Sequence, residues 1–153
     1  MDATDFPELV IASEASIINS LQGVRVLVVD DEALARDAMQ GLLAQWGCEV
    51  ITAESGDEAI ECAHDRAPDV VLCDLSLGST ESGITVVKRL QRECASGVAY
   101  AFVTGESAPE RIAEARATGH PIAFKPTTPG KLRAILEHLV QSRMTGFQNA
   151  TTR

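Results

Sequence analysis

The sequence contains no long apolar run. No stretch of its 153 residues approaches the roughly 18 consecutive apolar residues that a helix needs to cross a bilayer. The first residues, Met1-Asp2-Ala3-Thr4-Asp5, are acidic and do not resemble a signal peptide. We therefore predict a cytoplasmic protein that does not bind membranes.

Basic residues are also scarce. The chain has 13 Lys and Arg residues against 22 Asp and Glu residues, and its formal net charge is -9. A surface that binds nucleic acid needs a basic patch, so nucleic acid is not a predicted partner. A protein partner with a basic groove remains compatible with this charge.

Metal-binding patterns of cysteine and histidine are absent as well. The four cysteines form no CxxC pair, and the three histidines have no partner at ligand spacing. Most of the cysteines lie in apolar segments, so we predict reduced thiols in or near the core. Neither a thiolate site nor a histidine metal site is expected.

The chain does have enough apolar residues for one folded domain, since they make up 45% of the sequence. We assign residues 23–142 to this domain and residues 143–153 to a polar C-terminal tail. Residues 1–22 leave two alternatives open. They form a tail or linker, or a short helix that packs on the domain or on a second copy of the chain, which would make a homodimer.

From residue 24 onward, short apolar runs alternate with stretches whose apolar residues recur at helical spacing. The predicted strands are residues 24–29, 48–53, 69–75, 98–103 and 122–124. Nearly continuous apolar strands separated by helices indicate a parallel sheet covered on both faces. We predict an α/β fold with a doubly wound, five-stranded parallel sheet in three α/β/α layers.

The starts of three helices carry capping signals. Ser55 precedes Glu58, and Ser107 precedes Glu110, at the spacing of a capping box. Thr128 followed by a proline predicts the start of the last helix.

Polar residues follow four of the predicted strands at the point where each strand ends. In chain order they are Asp30 and Asp31, Asp74, Thr104, and Lys125. The carboxyl ends of parallel strands share one edge of the sheet, where ligands bind in such folds. Three carboxylates at one edge repel one another and need a cation, and oxygen ligands suit Mg²⁺. We therefore predict a Mg²⁺ site in which Asp31 and Asp74 hold the ion and Asp30 contributes directly or through a water.

This set of groups is typical of phosphoryl chemistry on a carboxylate. An ionised aspartate needs no general base to act as a nucleophile, which makes Asp74 the candidate. Lys125 can pair with a phosphoryl oxygen, and Thr104 can donate a hydrogen bond to another. A metal ion reduces the repulsion between the carboxylate and the incoming phosphoryl oxygens.

Four motifs surround these residues: VRVLVVDDE, VVLCDLSL, AFVTGES and IAFKP. In this order and spacing they resemble the receiver domain of two-component response regulators, over about residues 24–142. The resemblance implies a flavodoxin-like strand order of 2-1-3-4-5 and a switch gated by phosphorylation. It also implies that Asp74 is the phospho-acceptor and that Asp30 and Asp31 are the acidic pair. The backbone carbonyl of Ser76 would be a further Mg²⁺ ligand.

The resemblance also implies how the signal passes on. Thr104 and Lys125 would carry the response, Lys125-Pro126 would be a cis bond, and Ser76 and Glu106 would border the phosphoryl group. The donor would be a sensor histidine kinase or a histidine phosphotransfer protein. A downstream protein would bind the face of strand five and helices four and five. Only 11 polar residues follow the last predicted helix, so we expect signalling through protein contacts rather than an attached DNA-binding domain.

Two positions depart from the family pattern. The loop after Asp74 is one residue longer than usual, with Gly78 at a position that is usually proline and Gly83 nine residues after the acceptor. Ile122 stands where regulators that switch by rotating a ring have an aromatic residue. The rotating-ring switch is therefore not expected, although Thr104 can still move toward a phosphoryl group.

Several other functions share parts of this pattern. The sequence around helices four and five looks like the C-terminal receivers of hybrid sensor histidine kinases, so an excised receiver domain stays open. An aspartate-nucleophile phosphohydrolase commonly needs a second aspartate where this chain has Ser76. A flavin carrier would find its phosphate repelled by Asp30-Asp31-Glu32. A docking module that is never phosphorylated would not need the intact acceptor set. We predict no enzymatic activity beyond self-phosphorylation and self-dephosphorylation.

Overall fold

The five apolar runs form one parallel sheet. A computed structural model describes residues 20–78, 80–94 and 96–152. In chain order the strands are β1 (Arg25–Val29), β2 (Glu49–Ala53), β3 (Val70–Cys73), β4 (Ser76–Leu77), β5 (Glu81–Ser82), β6 (Ala99–Thr104) and β7 (Ile122–Phe124). The main sheet has the order β2-β1-β3-β6-β7, and all its neighbours are parallel. The predicted flavodoxin-like order is confirmed.

Helices follow the main strands and cover both faces of the sheet. They are α1 (Ala33–Gln45), α2 (Gly56–Asp65), α3 (Gly83–Glu93), α4 (Pro109–Ala117) and α5 (Pro129–Thr152). The last helix continues through residues that the sequence analysis assigned to a polar tail. None of the helices in the described part of the chain has the length and apolar character of a membrane span.

Two apolar cores lie on the two sides of the sheet, because successive strand residues point to opposite faces. Val71 and Cys73 of β3 belong to the core under α2, α3 and α4, whereas Val70 and Leu72 belong to the core under α1 and α5. All four residues of β3 are buried. The three-layer α/β/α arrangement is therefore confirmed, and its central strand leads directly to Asp74.

The core begins just before the predicted domain boundary. Leu21 is fully buried and packs in the same core as α1 and α5. Residues 1–19, which carry most of the segment predicted as a tail, linker or dimerising helix, lie outside the described residues.

Two of the three predicted helix caps are present. Ser55 Oγ accepts a hydrogen bond from Glu58 N at 3.2 Å, and Glu58 Oε1 accepts one from Glu54 N at 2.8 Å. Thr128 Oγ1 accepts a hydrogen bond from Lys131 N at 3.2 Å. Ser55 and Thr128 thereby satisfy N–H groups that the first turn of each helix leaves unpaired.

The predicted capping box at Ser107 and Glu110 is wrong. The residue that caps α4 is Ala108, which has no side-chain hydrogen-bonding group for this purpose. Glu106 Oε2 instead accepts a hydrogen bond from Ala108 N at 3.1 Å. A carboxylate from the preceding loop therefore holds the chain where it enters α4.

The loop after Asp74 contains a small hairpin that the sequence analysis did not predict. Strands β4 and β5 pair antiparallel, and Gly78 at the turn has a φ of 72°. Gly83 begins α3 directly against Asp74, so closely that a Cβ at position 83 would overlap the Asp74 backbone carbonyl. The hairpin accommodates the extra residue of this loop and keeps the close contact between its two ends.

Replacing Gly83 by alanine should lower the free energy of unfolding by about 1–3 kcal/mol, the usual cost of overpacking. Urea denaturation followed by circular dichroism measures this change. Gly41→Ala is the matched control, because Gly41 lies in α1 and a Cβ there meets nothing within 4 Å. The control should keep or slightly raise stability. Equal stability of Gly83→Ala and the wild type would contradict the close approach.

Candidate functional site

The structure brings all the predicted site side chains to one edge of the sheet. Asp74 follows β3, Thr104 ends β6 and Lys125 follows β7, and all three line an open cleft together with Asp31. Asp30 follows β1 and is 6% exposed. Four strands contribute to the site because their carboxyl ends meet at this edge.

Lys125 connects two buried carboxylates. Its Nζ lies 2.7 Å from Asp30 Oδ2 and 3.0 Å from Asp74 Oδ2. Burial by itself would lower the pKa of Lys125, but the hydrogen bonds with Asp30 and Asp74 outweigh it, and the pKa is raised above the ordinary lysine value. The ammonium group therefore stays charged at neutral pH and compensates both aspartates.

The three aspartates have the geometry of a cation site. One carboxylate oxygen from each of Asp30, Asp31 and Asp74 lies within 4.8 Å of the others. Glu32 N donates to Asp30 Oδ1 at 3.0 Å, and Ser76 N donates to Asp74 Oδ1 at 3.2 Å, so backbone groups orient two of the carboxylates. Clustered carboxylate oxygens that are partly open to solvent fit Mg²⁺.

Thr104 and Glu106 form the other wall of the cleft. Thr104 is fully buried, and its Oγ1 accepts a hydrogen bond from Glu106 N at 3.0 Å. Glu106 Oε1 accepts one from Ser76 Oγ at 2.9 Å, so this carboxylate points toward Ser76 across the site. The hydrogen bond from Ala108 N, followed by the one from Ser76, lowers the pKa of Glu106. The cleft rim therefore carries a further negative charge at neutral pH.

Two arginines that were not predicted as site residues contact the backbone of the site. Arg36 Nη1 donates to the Asp30 backbone carbonyl at 2.8 Å, and Arg111 Nη1 donates to the Leu75 carbonyl at 3.4 Å. In the sequence, the signal for the Arg36 contact is its spacing from the acidic run Asp30-Asp31-Glu32. It is weak, because spacing alone does not tell which group a long guanidinium side chain reaches.

A comparison with known protein families adds an independent finding. The family described as the response regulator receiver domain matches residues 26–137. The chain belongs to this family. The match includes every aspartate of the cation site as well as Thr104 and Lys125. Receiver domains bind Mg²⁺ in general, in agreement with the oxygen cluster of this chain.

Curated relatives are longer than this receiver domain. The transcriptional regulatory protein ZraR of Escherichia coli O157:H7 is 33% identical over 115 residues, which are 74% of this chain and 26% of that protein. A protein-glutamate methylesterase/protein-glutamine glutaminase of Archaeoglobus fulgidus is 37% identical over 91 residues, which are 58% of this chain and 26% of that protein. The similarity to both relatives therefore covers about a quarter of their length.

Solved structures agree with the receiver fold. The chemotaxis protein CheY4 of Vibrio cholerae superposes with a TM-score of 0.67 at 30% identity, over 76% of this chain and 98% of that one. NtrX of Brucella abortus superposes with a TM-score of 0.77 at 26% identity, over 86% of this chain and 30% of that one. The implied cis bond at Lys125-Pro126 is also present in this receiver domain.

Replacing Lys125 by methionine should lower the free energy of unfolding by about 1–3 kcal/mol in Mg²⁺-free buffer, because two buried carboxylates lose their shared cation. Excess MgCl₂ should recover part of the loss, since a bound cation restores the compensation. Urea denaturation with EDTA or with MgCl₂ measures both effects. Lys88→Met, at an exposed lysine of α3, is the control. A loss that Mg²⁺ does not reduce would contradict this assignment of the cluster.

The contribution of Lys125 should also depend on pH. Its pKa is raised in the folded state above the ordinary value of 10.5, so its stabilising effect is complete below that value and is lost as the pH rises through the folded pKa. The difference in unfolding free energy between wild type and Lys125→Met should be constant from neutral pH to about pH 9 and should shrink in more alkaline buffer. A difference that grows with pH would exclude this role for the ammonium group.

Proposed function

We propose that this receiver domain is a phosphorylation-gated switch of a two-component phosphorelay and that Asp74 is its phospho-acceptor. The observation that carries the proposal is the position of Lys125, whose Nζ contacts both Asp30 and Asp74. Asp74 also lines the open cleft, so a phosphoryl donor can reach it from solvent. A reachable carboxylate with a neighbouring cation suits nucleophilic attack on phosphorus.

The transfer step forms one bond and breaks another. A carboxylate oxygen of Asp74 attacks the phosphorus of a phosphohistidine, and the phosphorus–nitrogen bond breaks as the acyl phosphate forms. The imidazole nitrogen leaves with the bonding electron pair and takes up a proton from solvent. Hydrolysis by water later returns the carboxylate and inorganic phosphate.

The residues around Asp74 have separate tasks in this proposal. The side chains of Asp30, Asp31 and Asp74 and the Ser76 backbone carbonyl would hold Mg²⁺. When bound, the ion supplies positive charge that offsets the repulsion between the carboxylate and the phosphoryl oxygens. Lys125 pairs with a phosphoryl oxygen.

The new charge would alter the wall formed by Thr104 and Glu106. A phosphorylated side chain carries about -1.5 to -2 charges, and on Asp74 these replace the single negative charge of the ionised carboxylate. The Thr104 hydroxyl can donate to a phosphoryl oxygen, whereas the Glu106 carboxylate is repelled by it. Glu106 holds the start of α4 through Ala108 N, so its displacement would move that loop. With Ile122 in β7, this movement needs no rotating aromatic ring.

The proposed partners follow from this cycle. The donor is a sensor histidine kinase or a histidine phosphotransfer protein in the cytoplasm. The downstream protein binds the face of β7, α4 and α5, where Phe124 is 40% exposed. We propose that this domain signals through this contact and has no enzymatic activity beyond its own phosphorylation and dephosphorylation. An excised receiver of a hybrid kinase would use the same chemistry at Asp74.

The phosphohydrolase alternative has less support. Ser76 occupies the position at which such enzymes commonly carry a second aspartate as general acid. Its hydroxyl donates to Glu106 Oε1 at 2.9 Å, so it is engaged in the cleft wall. Sustained turnover of many phosphate esters would nevertheless favour this alternative over the switch.

Intact mass spectrometry tests the proposed acceptor. Incubation with Mg²⁺ and acetyl phosphate, or with a cognate kinase, should add the mass of one phosphoryl group to the wild type. Asp74→Asn should show no gain, because an amide is not a nucleophile of this kind. Asp37→Asn, at an exposed aspartate of α1, is the matched control and should be phosphorylated like the wild type. A wild type that gains no phosphoryl group and binds no beryllofluoride would refute the proposal.

A further inference from the structure

The hairpin formed by β4 and β5 makes a contact with α2 that does not involve the acidic site. Glu81 Oε1, in β5, accepts a hydrogen bond from the backbone N–H of Gly56 at 2.9 Å. Gly56 is the first residue of α2. A Cβ at position 56 would collide with the Glu81 carboxylate and with Val86 of α3. The contact between the hairpin and α2 therefore requires glycine, a residue without a Cβ, at position 56.

The start of α2 is a favourable place for this carboxylate. The first N–H groups of a helix have no partner within the helix, and this end carries a partial positive charge. Ser55 Oγ satisfies Glu58 N, and Glu81 satisfies Gly56 N. The two side chains together cap α2, and one of them comes from the loop that follows the acceptor.

The other side of the hairpin contacts the acidic site. Gly78 N donates to Asp31 Oδ2 at 3.1 Å, and Ser76 N donates to Asp74 Oδ1 at 3.2 Å. Leu77 lies between these two donors in the chain, is 4% exposed, and pairs directly opposite Glu81. Fixing Glu81 therefore fixes β4 and the turn that follows it, whose N–H groups contact two of the three clustered carboxylates.

We propose that Glu81 is a positioning residue for the Mg²⁺ site. Its hydrogen bond to Gly56 ties the hairpin to α2 and so holds the N–H groups of Ser76 and Gly78 against Asp74 and Asp31. Outer groups that orient metal ligands affect metal affinity without touching the ion. The inference rests on the proposed function only in taking the acidic cluster as the Mg²⁺ site.

Calorimetric titration with Mg²⁺ alone tests this role. Glu81→Ala should weaken Mg²⁺ binding about tenfold, the low end of the effects of outer groups on metal affinity. Gly56→Ala should do the same although it keeps every charge, because its Cβ would displace the Glu81 carboxylate. Combining the two changes should add little to either, because both remove the same contact.

Two controls separate the hydrogen bond from the charge. Glu81→Gln loses the charge but keeps an oxygen that can accept from Gly56 N, so its Mg²⁺ affinity should stay within about twofold of the wild type, far from the loss expected when an orienting contact is removed. Glu61→Ala removes an exposed carboxylate from α2 and should leave the affinity unchanged. A glutamine variant as weak as Glu81→Ala would show that charge is responsible and would overturn the proposal.

Measurements of thermal unfolding and of phosphorylation distinguish the remaining outcomes. A purely structural role would lower the unfolding temperature of Gly56→Ala and Glu81→Ala while leaving Mg²⁺ affinity as in the wild type, and this overturns the proposal. If Glu81→Ala does not fold, the Mg²⁺ affinity of Gly56→Ala tests the proposal by itself. A wild type that binds Mg²⁺ but is never phosphorylated refutes the proposed function and leaves the role of Glu81 to be judged by the same titrations. A wild type that binds no Mg²⁺ overturns both.

Discussion

The interaction on which this structure depends is the contact of one lysine with two buried carboxylates. Asp30 and Asp74 are 6% and 8% exposed, and their charges would be costly at the edge of an apolar core without compensation. Lys125, which directly follows the edge strand β7, supplies this compensation. The strand order therefore matters for the site, because β6 and β7 extend the sheet beyond β3 and bring the lysine back over its end.

Hydrogen bonds that involve loop residues hold the groups around this contact. Glu106 joins the loop after β6 to Ser76, and Gly78 N joins the hairpin to Asp31. The carboxylates of Asp30, Asp31, Asp74 and Glu106 outnumber the single ammonium group of Lys125, and this excess of negative charge favours the binding of a cation. In the proposed switch, a phosphoryl group on Asp74 would add negative charge to the site, and the loops that carry Glu106 and Gly78 would respond to it. The same added charge would then link the chemistry at Asp74 to a change at the surface.

The main sheet and the acidic cluster could be predicted because their signals are local and strong. Apolar runs bounded by helical patterns identify the strands, and parallel strands bring their ends to one edge. The hairpin had no such signal, because strands of two residues show no periodicity. The predicted cap at Ser107 was wrong because Glu106 accepts the hydrogen bond from Ala108 N instead. The contact between Glu81 and Gly56 joins residues 25 positions apart through a backbone group, which no side-chain pattern records.

The most direct test of this account is a crystal structure of the protein with Mg²⁺ and beryllofluoride. The account predicts that beryllium is bonded to an Asp74 carboxylate oxygen and that Mg²⁺ is bound by Asp30, Asp31 and Asp74. Lys125 Nζ should then contact a fluorine atom. Beryllofluoride bound elsewhere, or an Asp74 carboxylate still paired only with Lys125 at saturating Mg²⁺ and beryllofluoride, would contradict it.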